Sequence, residues 1–365
     1  MSQAARRMLT SGMDTRTLQT IRIIDARGDS LALADPIAVR ALRDTVFGRL
    51  TPAIRAVLPV ADSVARRWLR RSASPYVAEL DLIAARTRVS GIYAINISYE
   101  YGCTTLARAD GPECAPTLRR TLDWPFLVLG RAAVVARREG PAGEFFDVTW
   151  PGAVGTLTAM APARFAAAIN QAPLLRRTRG ERLRAVDYVH NFAHTLFHER
   201  GMPPLHLLRH VFETAESFPE ALEMLTEVEL ARPVIFTLIG RRSDELAVVE
   251  RRERDATIHH GSGAVANDWR QPGTGWEPRP CALSDRHLDS MTRCATILEA
   301  AVHSGEPFTW VVPPVRNWNT RLAVEMNVGE GWIRALGFEP CNSVDAAPAT
   351  IPFDSSQSDA KHVDG

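Results

Sequence analysis

Apolar and polar positions repeat with two different periods along this chain, and the change from one to the other falls near Gly91. Before it, IAVRALRDTVFGRL and SVARRWLRR repeat apolar positions at helical spacing, with Asp35 placed as an N-cap and Pro36 in the first turn. TIRIID, residues 20–25, is a β-branched run typical of a strand. The pattern therefore predicts a mobile leader over residues 1–19 and then a mostly helical N-terminal segment.

Beyond Gly91 the pattern is that of short strands separated by Gly and Pro. The first strand-like segments are CTTLARA, FLVLGRAAVVARR, EFFDVTW, GAVGTLTAM and RFAAAIN. A helical insert is predicted over residues 182–226, in which Ser217 and Glu220 form a capping-box pattern. Strands return as PVIFTLIG and LAVVERRE, followed by a hairpin-like HHGSGAV, a helix over residues 285–303, and the strands TWVVPPV, TRLAVEMNV and GWIRALGF.

This order of elements predicts an α+β fold. Runs of strands and runs of helices, in place of alternating strand and helix, favour two antiparallel sheets with helices outside them. No proline- or glycine-rich join isolates a second compact domain, so we expect one catalytic domain preceded by the helical segment. The segment over residues 344–365 is rich in Ala, Pro, Ser and Asp and is predicted to be a disordered tail.

Composition and charge narrow the class of protein. A formal net charge of +1 gives no electrostatic reason to expect a nucleic-acid partner or an anionic membrane surface. The first residues lack the apolar region of a signal peptide, and no apolar run is long enough to span a bilayer. The five cysteines are scattered without a C-x-x-C pair, so neither a zinc ribbon nor a disulfide framework is predicted. We expect a cytoplasmic protein without stable membrane insertion.

The junction between Gly102 and Cys103 offers one kind of nucleophilic chemistry. A cysteine nucleophile needs a base, since a free thiol is only partly ionised at neutral pH. If the bond before Cys103 is broken, its new α-amino group lies beside its own thiol and can accept the proton. Gly102 suits such a break, because a residue without Cβ permits the strained backbone that an internal attack requires.

The residues around this junction resemble a known family. The stretch from Asn96 to Thr105, NISYEYGCTT, followed by Arg120-Thr-Leu-Asp123, is similar to the processing site of acid ceramidase and N-acylethanolamine-hydrolysing acid amidase, relatives of choloylglycine hydrolase and penicillin V acylase. The R-x-x-D element lies one residue further from the cysteine than in the family pattern. Further similarity runs in the family's order through residues 145–173, PVIFTLIGRRSDELAVVERRER, VANDW at residues 265–269 and Asp285-Arg286.

The resemblance implies a four-layer αββα sandwich of the N-terminal-nucleophile hydrolase type. It implies cleavage between Gly102 and Cys103, with residues 1–102 acting first as a propeptide and then as a small α subunit. Residues 103–343 would form the catalytic β subunit. The mature protein would then be an α/β heterodimer made from one precursor, and a homo-oligomer is compatible with this arrangement.

The resemblance also assigns roles to the matched residues. Asp123 would orient the Cys103 amine, and Arg120 would lower the pKa of the thiol and hold polar groups of the substrate. Asn267 would donate its side-chain amide to the oxyanion, and Arg286 would complete the charge network near the amine. Asn170, Gln171 and Trp150 are assigned to substrate binding. Gln171 stands where the family carries a glutamate, a departure that bears on substrate choice or pH optimum.

The predicted reaction is hydrolysis of a linear N-acyl amide through an S-acyl-Cys103 intermediate, with no cofactor and no metal. Leu205, Leu207, Leu208, Val211 and Phe212 would form either an apolar wall for an acyl chain or ordinary core packing. An N-acyltransferase of the same fold, which moves the acyl group to an amine, is the alternative.

A third hypothesis is a metal-binding or non-catalytic protein. It rests on His190, His194 and His198, which share one helical face. The more ordinary interpretations also stay open: Cys103 as a small buried residue, Arg120 and Asp123 as a salt bridge, and Asn267 as a turn residue.

Overall fold

The computed structural model describes residues 18–47, 52–97, 101–178, 180–271, 273–302 and 306–358. Most of the predicted leader and the final residues of the predicted tail lie outside this part of the chain.

Four helices form most of the N-terminal segment, as the apolar spacing predicts. They are α1 (Pro36–Phe47), α2 (Pro52–Leu69), α3 (Val77–Thr87) and α4 (Ile92–Asn96). Asp35 caps α1 by accepting a hydrogen bond from the Ile37 backbone nitrogen at 2.8 Å. Asp62 of α2 accepts hydrogen bonds from the backbone nitrogens of Tyr93 and Ala94, each at 3.1 Å, which fixes the start of α4.

The first sheet has eight strands in the order β12-β11-β10-β8-β7-β6-β5-β2. Their bounds in chain order are β2 (Arg22–Asp25), β5 (Val134–Gly140), β6 (Gly143–Thr149), β7 (Thr158–Ala161), β8 (Phe165–Gln171), β10 (Val234–Ile239), β11 (Leu246–Arg251) and β12 (Ala256–His260). All neighbouring pairs are antiparallel except β2 and β5, which are parallel. The predicted N-terminal strand is thus an edge strand of this sheet.

The second sheet has the order β13-β3-β4-β15-β16-β17, with β19 also paired to β16. Its strands are β3 (Gly102–Arg108), β4 (Thr117–Asp123), β13 (Gly263–Val265), β15 (Thr320–Asn327), β16 (Trp332–Pro340), β17 (Ala346–Pro348) and β19 (Phe353–Asp354). The β3–β4 pairing is antiparallel and places Gly102 opposite Asp123. The predicted cleavage site and Asp123 therefore lie at the same end of this sheet.

Short elements complete the chain. Two pairs of two-residue strands form small sheets: β1 (Gln19–Thr20) with β18 (Thr350–Ile351), and β9 (Leu174–Leu175) with β14 (Trp276–Glu277). The remaining helices are α5 (Leu129–Ala132), α6 (Arg184–His198), α7 (Pro204–Thr214), α8 (Phe218–Glu227), α9 (Arg286–Val302) and α10 (Ser355–Ser358). The predicted helical insert is confirmed, and the Ser217 hydroxyl accepts a hydrogen bond from the Glu220 backbone nitrogen at 3.4 Å.

The two sheets face each other and helices cover their outer faces. Strands β3 and β4 contact β8 and β10 across the interior, α7 and α8 pack on the first sheet, and α9 packs on β3 and β13 of the second. The largest apolar cluster joins both sheets, through residues such as Leu122 and Phe236, and extends to the covering helices through residues such as Phe212. The chain therefore has the predicted α+β fold, layered αββα.

Three local predictions are wrong. HHGSGAV is not a hairpin, because β12 belongs to the first sheet and β13 to the second. TWVVPPV, residues 309–315, forms turns. The strand predicted from Phe126 begins only at Val134, since the backbone of α5 packs so closely on β16 that a Cβ on Gly130 would overlap the Phe338 oxygen.

The predicted disordered tail is also wrong for residues 346–358. These residues form β17, β18, β19 and α10, and β17 and β19 pair with β16. Phe353 is buried, and the Thr350 hydroxyl accepts a hydrogen bond from the Gly337 backbone nitrogen at 2.9 Å. A polar, proline-containing composition does not exclude such short strands along an existing sheet edge. Separately, no helix among the described residues has the length and apolarity needed to cross a membrane.

Candidate active site

Cys103 lies at the start of β3 with its side chain buried between the two sheets. Its thiol accepts a hydrogen bond from Arg120 Nη2 at 2.7 Å and lies 3.6 Å from the Ile169 backbone oxygen of the facing sheet. The side chain is fully buried. The sequence prediction that Arg120 meets this thiol agrees with the geometry, because residues 103 and 120 lie on adjacent paired strands.

The Arg120 guanidinium extends from the second sheet and donates hydrogen bonds to residues of the first. Nη1 donates to the Leu157 backbone oxygen at 3.4 Å and to the Thr158 hydroxyl, and Nη2 donates also to the Ile169 backbone oxygen at 3.3 Å. A buried guanidinium with several acceptors keeps a fixed position. The cation is therefore directed at the thiol, which it would stabilise as a thiolate.

The pKa of the Cys103 thiol reflects two opposing effects. Burial raises it to about 11, because a thiolate loses the stabilisation that water gives it. The neighbouring Arg120 lowers it, but not enough to offset burial in the uncleaved chain. The intact site thus holds a protonated thiol with a positive charge beside it.

The backbone nitrogen of Cys103 donates to Asn267 Oδ1 at 2.9 Å. The same side chain donates from Nδ2 to the Gln171 backbone oxygen at 2.9 Å. Asn267 is fully buried and lies two residues after the end of β13, the strand that pairs with β3. It therefore lies next to the nitrogen that would become the α-amino group, while its predicted oxyanion role stays a prediction.

Asp123, at the end of β4, is almost fully buried on the other side of the junction. Its Oδ1 accepts a hydrogen bond from the Thr320 hydroxyl at 2.8 Å, and Oδ2 accepts none from the residues that the structure describes. Arg293 Nη1 lies 3.8 Å from Oδ2. Burial raises the pKa of Asp123, and the charge of Arg293 partly offsets this. A buried carboxylate oxygen with spare hydrogen-bonding capacity suits an amine ligand.

Two functional candidates were not found from the sequence: Arg293 and Asp289 of α9. Arg293 donates to the Cys103 backbone oxygen at 2.7 Å and to Asn267 Oδ1 at 3.2 Å, and its Nε pairs with Asp289 at 2.9 Å. Both side chains are fully buried. Their spacing of four residues on a predicted helix was the available signal, since such a pair lies on one face.

Arg286 lies at the edge of the site, and the role near the amine that the resemblance assigns to it stays a prediction. It begins α9, where its Nε lies 3.2 Å from Glu277 Oε1, and the charge beside the Cys103 backbone comes instead from Arg293, two helical turns later. Arg286 does line an open cavity of about 270 Å³ together with Gly102, Asp123 and Cys281. It thus lies at the entrance to the site.

Asn170 and Gln171 connect the site to the first sheet. Asn170 is fully buried; it accepts a hydrogen bond from the Thr105 hydroxyl at 2.6 Å and donates to the backbone oxygens of residues 265 and 266. Its partners are all internal, which indicates positioning of the loop that carries Asn267. Gln171 accepts from the Tyr101 backbone nitrogen at 2.9 Å and lines the open cavity. Of the two, Gln171 is the one accessible to a ligand.

Trp150 lies apart from Cys103. Its Nε1 donates to the Leu129 backbone oxygen at 2.8 Å, and its ring contacts Trp124 edge to face. Both rings line an apolar cavity of about 60 Å³, whose wall also includes Val39 and Leu42 of α1. The substrate contact predicted for Trp150 would therefore be made in this apolar cavity and not at the thiol.

Tyr101 borders three cavities: the apolar cavity, the open cavity and a polar cavity of about 180 Å³. The polar cavity shares Gln171 and Arg279 with the open cavity, and its wall includes His194, Glu199 and Glu253. Of the apolar insert residues, only Leu205 reaches the apolar cavity. The others are core packing, fully buried in the main apolar cluster: Leu207, Leu208, Val211 and Phe212.

The three histidines of α6 do not form a metal site. His190 lies against the Arg177 guanidinium, with Nδ1 at 2.6 Å from Nη1, and His194 Nδ1 lies 3.6 Å from Glu199 Oε1. A guanidinium beside an imidazole repels a cation. Among the described residues, no group of three or more His, Cys, Asp or Glu side chains is arranged to hold a metal ion.

No protein-family model and no curated protein matches this chain. Similar solved structures include a Caenorhabditis elegans N-acylethanolamine-hydrolyzing acid amidase ortholog, with a TM-score of 0.48, 17% identity, and coverage of 62% of this chain and 93% of that chain. Penicillin V acylase from Agrobacterium tumefaciens has a TM-score of 0.38, 14% identity, and coverage of 64% and 82% respectively. Conjugated bile acid hydrolase from Clostridium perfringens has a TM-score of 0.39, 11% identity, and coverage of 69% and 96%.

Proposed function

We propose that this chain is an amidohydrolase that cleaves itself before Cys103 and then hydrolyses a linear N-acyl amide. The observation that carries the proposal is the set of hydrogen bonds around Cys103. The buried Cys103 thiol accepts a hydrogen bond from Arg120 at 2.7 Å, and the Cys103 nitrogen is held by Asn267 at 2.9 Å. A structural cysteine does not need a cation at its thiol, whereas a nucleophile that reacts as a thiolate is stabilised by one.

Self-cleavage at the bond between Gly102 and Cys103 would begin with the thiol of Cys103. Cys103 Sγ attacks the Gly102 carbonyl carbon, a carbon–sulfur bond forms, and the carbon–nitrogen bond breaks as the thiol proton passes to the departing nitrogen. Water then hydrolyses the thioester, which leaves a carboxylate on Gly102 and a free amine on Cys103. Arg120, at 2.7 Å from the sulfur, stabilises the thiolate during the attack.

The freed amine becomes the base of the second reaction. Its ordinary pKa is roughly 7.7 to 8.0, so the neutral form is available near neutral pH. Asn267 Oδ1 already holds the nitrogen, and Asp123 Oδ2 is the buried acceptor that can orient it. The amine takes the thiol proton while the sulfur attacks the substrate carbonyl, and then gives the proton to the leaving amine.

Asn267 is our candidate for the oxyanion donor. In the uncleaved chain its Nδ2 donates to the Gln171 backbone oxygen and its Oδ1 accepts from the Cys103 nitrogen. Its Nδ2 would have to leave Gln171 and turn toward the substrate carbonyl. One such donor is commonly worth about 10²-fold to 10³-fold in rate.

The cavities support an apolar acyl group joined to a polar amine. The apolar cavity lined by Trp124, Trp150 and Val39 would hold the acyl part. The polar cavity beside Gln171, with the carboxylates of Glu199 and Glu253 in its wall, would hold the amine part. The substrate class is therefore an N-acyl amide with a hydrocarbon acyl chain.

Mass measurement of the purified full-length chain tests this proposal. We expect two fragments, the larger beginning at Cys103, together with hydrolysis of a chromogenic acyl anilide. Cys103→Ala should remain whole and inactive, while Cys341→Ala, which removes an exposed thiol, should behave as wild type. A wild-type chain that keeps its uncleaved mass after prolonged incubation at mildly acidic and neutral pH would contradict the proposal.

The polar cavity also favours a second candidate, an N-acyltransferase. An amine that leaves and an amine that accepts would occupy the same place, and the carboxylate and guanidinium groups in the cavity wall offer hydrogen-bond partners to either one. The two candidates differ in a competition assay. A transferase would give more N-acyl amine than free acid when an amine is offered in water, whereas the amidase would give mostly free acid.

A further inference from the structure

Gly102 is confined by a second cysteine. A Cβ added to Gly102 would overlap Cys281 Sγ outright and would lie 3.3 Å from Cys281 Cβ and 3.4 Å from Asp123 Cβ. The φ of Gly102 lies outside the left-handed region, so glycine is not required here by backbone conformation. It is required by space, and the atom that takes this space is the sulfur of Cys281.

Hydrogen bonds hold the backbone of Cys281 in this position. Its backbone nitrogen donates to Asp289 Oδ2 at 3.1 Å, and its backbone oxygen accepts from Asn319 Nδ2 at 3.1 Å. The side chain has a polar neighbour, Asn267 Oδ1, at 3.8 Å from Sγ. Burial raises the pKa of Cys281 well above its ordinary value, so the sulfur beside Gly102 is a neutral steric group and not a second nucleophile.

The position of Gly102 in the precursor is also the position of the substrate acyl group. Self-cleavage passes through a thioester between the Gly102 carbonyl and Cys103 Sγ, and turnover passes through a thioester between the substrate acyl carbonyl and the same sulfur. The carbon next to the substrate carbonyl thus takes the place of the Gly102 Cα. The sulfur that excludes a Cβ there also excludes a branch on the acyl chain.

We propose that Cys281 restricts the enzyme to acyl groups that carry no branch, in the orientation of an L side chain, on the carbon next to the carbonyl. The inference rests on the proposed function, because it takes the acyl-thioester on Cys103 as given. Asp123 Oδ2, buried and without a hydrogen-bond partner among the described residues, lines the same cavity, as expected for a site that receives a ligand.

The first test compares two chromogenic anilides, one of hexanoic acid and one of (R)-2-methylhexanoic acid. In the R acid the methyl group takes the orientation of an L side chain when the remaining chain takes the place of the Gly102 nitrogen. Wild type should cleave the branched anilide about 10-fold to 100-fold more slowly than the unbranched one, the effect of an overpacked methyl group. The measured quantity is this ratio of kcat/KM values within each variant.

Cys281→Gly should reduce the ratio to within a few-fold of one, and Cys281→Ser, which keeps an atom at the same place, should leave it large. Cys341→Ala controls for loss of an unrelated thiol. An equal ratio in wild type and Cys281→Gly, or a wild type that cleaves both anilides alike, would overturn the inference.

The second test uses self-cleavage and needs no added substrate. Gly102→Ala should stop or strongly slow cleavage, and Gly102→Ala combined with Cys281→Gly should restore it, as measured by intact mass. A wild type that cleaves itself while the double variant stays as slow as Gly102→Ala would overturn the role of Cys281 and leave the proposed function in place. A wild type that is neither cleaved nor active would instead overturn the proposed function, and the inference with it.

Discussion

Arg293 donates from Nη1 to the backbone oxygen of Cys103 at 2.7 Å. The same guanidinium donates to Asn267 Oδ1 at 3.2 Å, and Asn267 Oδ1 accepts from the Cys103 nitrogen at 2.9 Å. One buried cation on α9 thus positions the backbone of the candidate nucleophile directly, and its nitrogen through one intervening side chain. The outer helix is therefore part of the site as well as a cover for the sheet.

Arg293→Met should strongly destabilise the protein. Asp289 would stay buried without its partner, and breaking a buried ion pair in this way costs about 3 to 5 kcal/mol. The free energy of unfolding in urea measures the loss. Arg286→Met is the control, since its ion pair is partly exposed and should be worth about 1 kcal/mol or less. Equal losses in the two variants would contradict the structural role of Arg293.

Arg120→Gln should slow both self-cleavage and amide hydrolysis by about 100-fold, because the thiolate loses its only charge-assisted donor within hydrogen-bond distance among the described residues. Intact mass over time and kcat/KM measure the two effects. Arg119→Gln removes the neighbouring guanidinium on the opposite face of β4, where it donates to the Ala301 backbone oxygen. That variant should keep both rates within a few-fold of wild type. A similar slowing in both variants would point to general damage to the strand.

Asn267→Asp should lower kcat for amide hydrolysis by about 10²-fold to 10³-fold, since a carboxylate keeps the shape of the side chain but cannot donate to an oxyanion. The comparison is made on chains already cleaved before Cys103, so that maturation does not enter the rate. Asn342→Asp is the matched control, since Asn342 is exposed and its Oδ1 accepts from the backbone nitrogens of Val344 and Asp345, a role that a carboxylate keeps. A kcat unchanged in Asn267→Asp would leave this residue as a support for the Cys103 nitrogen only.

The contribution of His206 to the stability of the protein should fall as pH falls below about 6.5. Burial, with a smaller contribution from Arg209, lowers the pKa of His206 from 6.5 to about 3. Between these values the unfolded chain binds a proton that the folded chain does not. This contribution to stability is therefore full above pH 6.5 and is lost toward pH 3, by at most about 1.4 kcal/mol per pH unit.

The corresponding variant is His206→Gln. The imidazole lies 2.7 Å from the Ser74 hydroxyl through Nδ1 and packs edge to face on Tyr76. Unfolding free energies of wild type and His206→Gln, measured from pH 7 to pH 4, should converge as pH falls. Parallel curves for His206→Gln would mean that this group is not the source of the acid sensitivity.

The sequence predicted the parts of the site that lie on neighbouring strands. Cys103, Arg120 and Asp123 come from two strands joined by a short connection, and the antiparallel register that places Gly102 opposite Asp123 and Thr105 opposite Arg120 brings them together. Arg293 was missed because which of several helix residues faces the sheet depends on how α9 packs on β3, and a single sequence does not contain that rotation. Trp150 was assigned to substrate binding by the resemblance, and its ring lies in the wall of the apolar cavity.

The two small strands before α1 would hold the N-terminal piece on the rest of the protein after a cut before Cys103. Strand β2 pairs with β5 of the first sheet, and β1 pairs with β18 near the end of the chain. The cut protein would therefore stay assembled, but its two pieces would no longer share a backbone. Its unfolding would become a dissociation governed by mass action, and its stability would depend on protein concentration, which that of the uncut chain does not. Processing would exchange an intramolecular equilibrium for an intermolecular one, and dilution would become a denaturing condition.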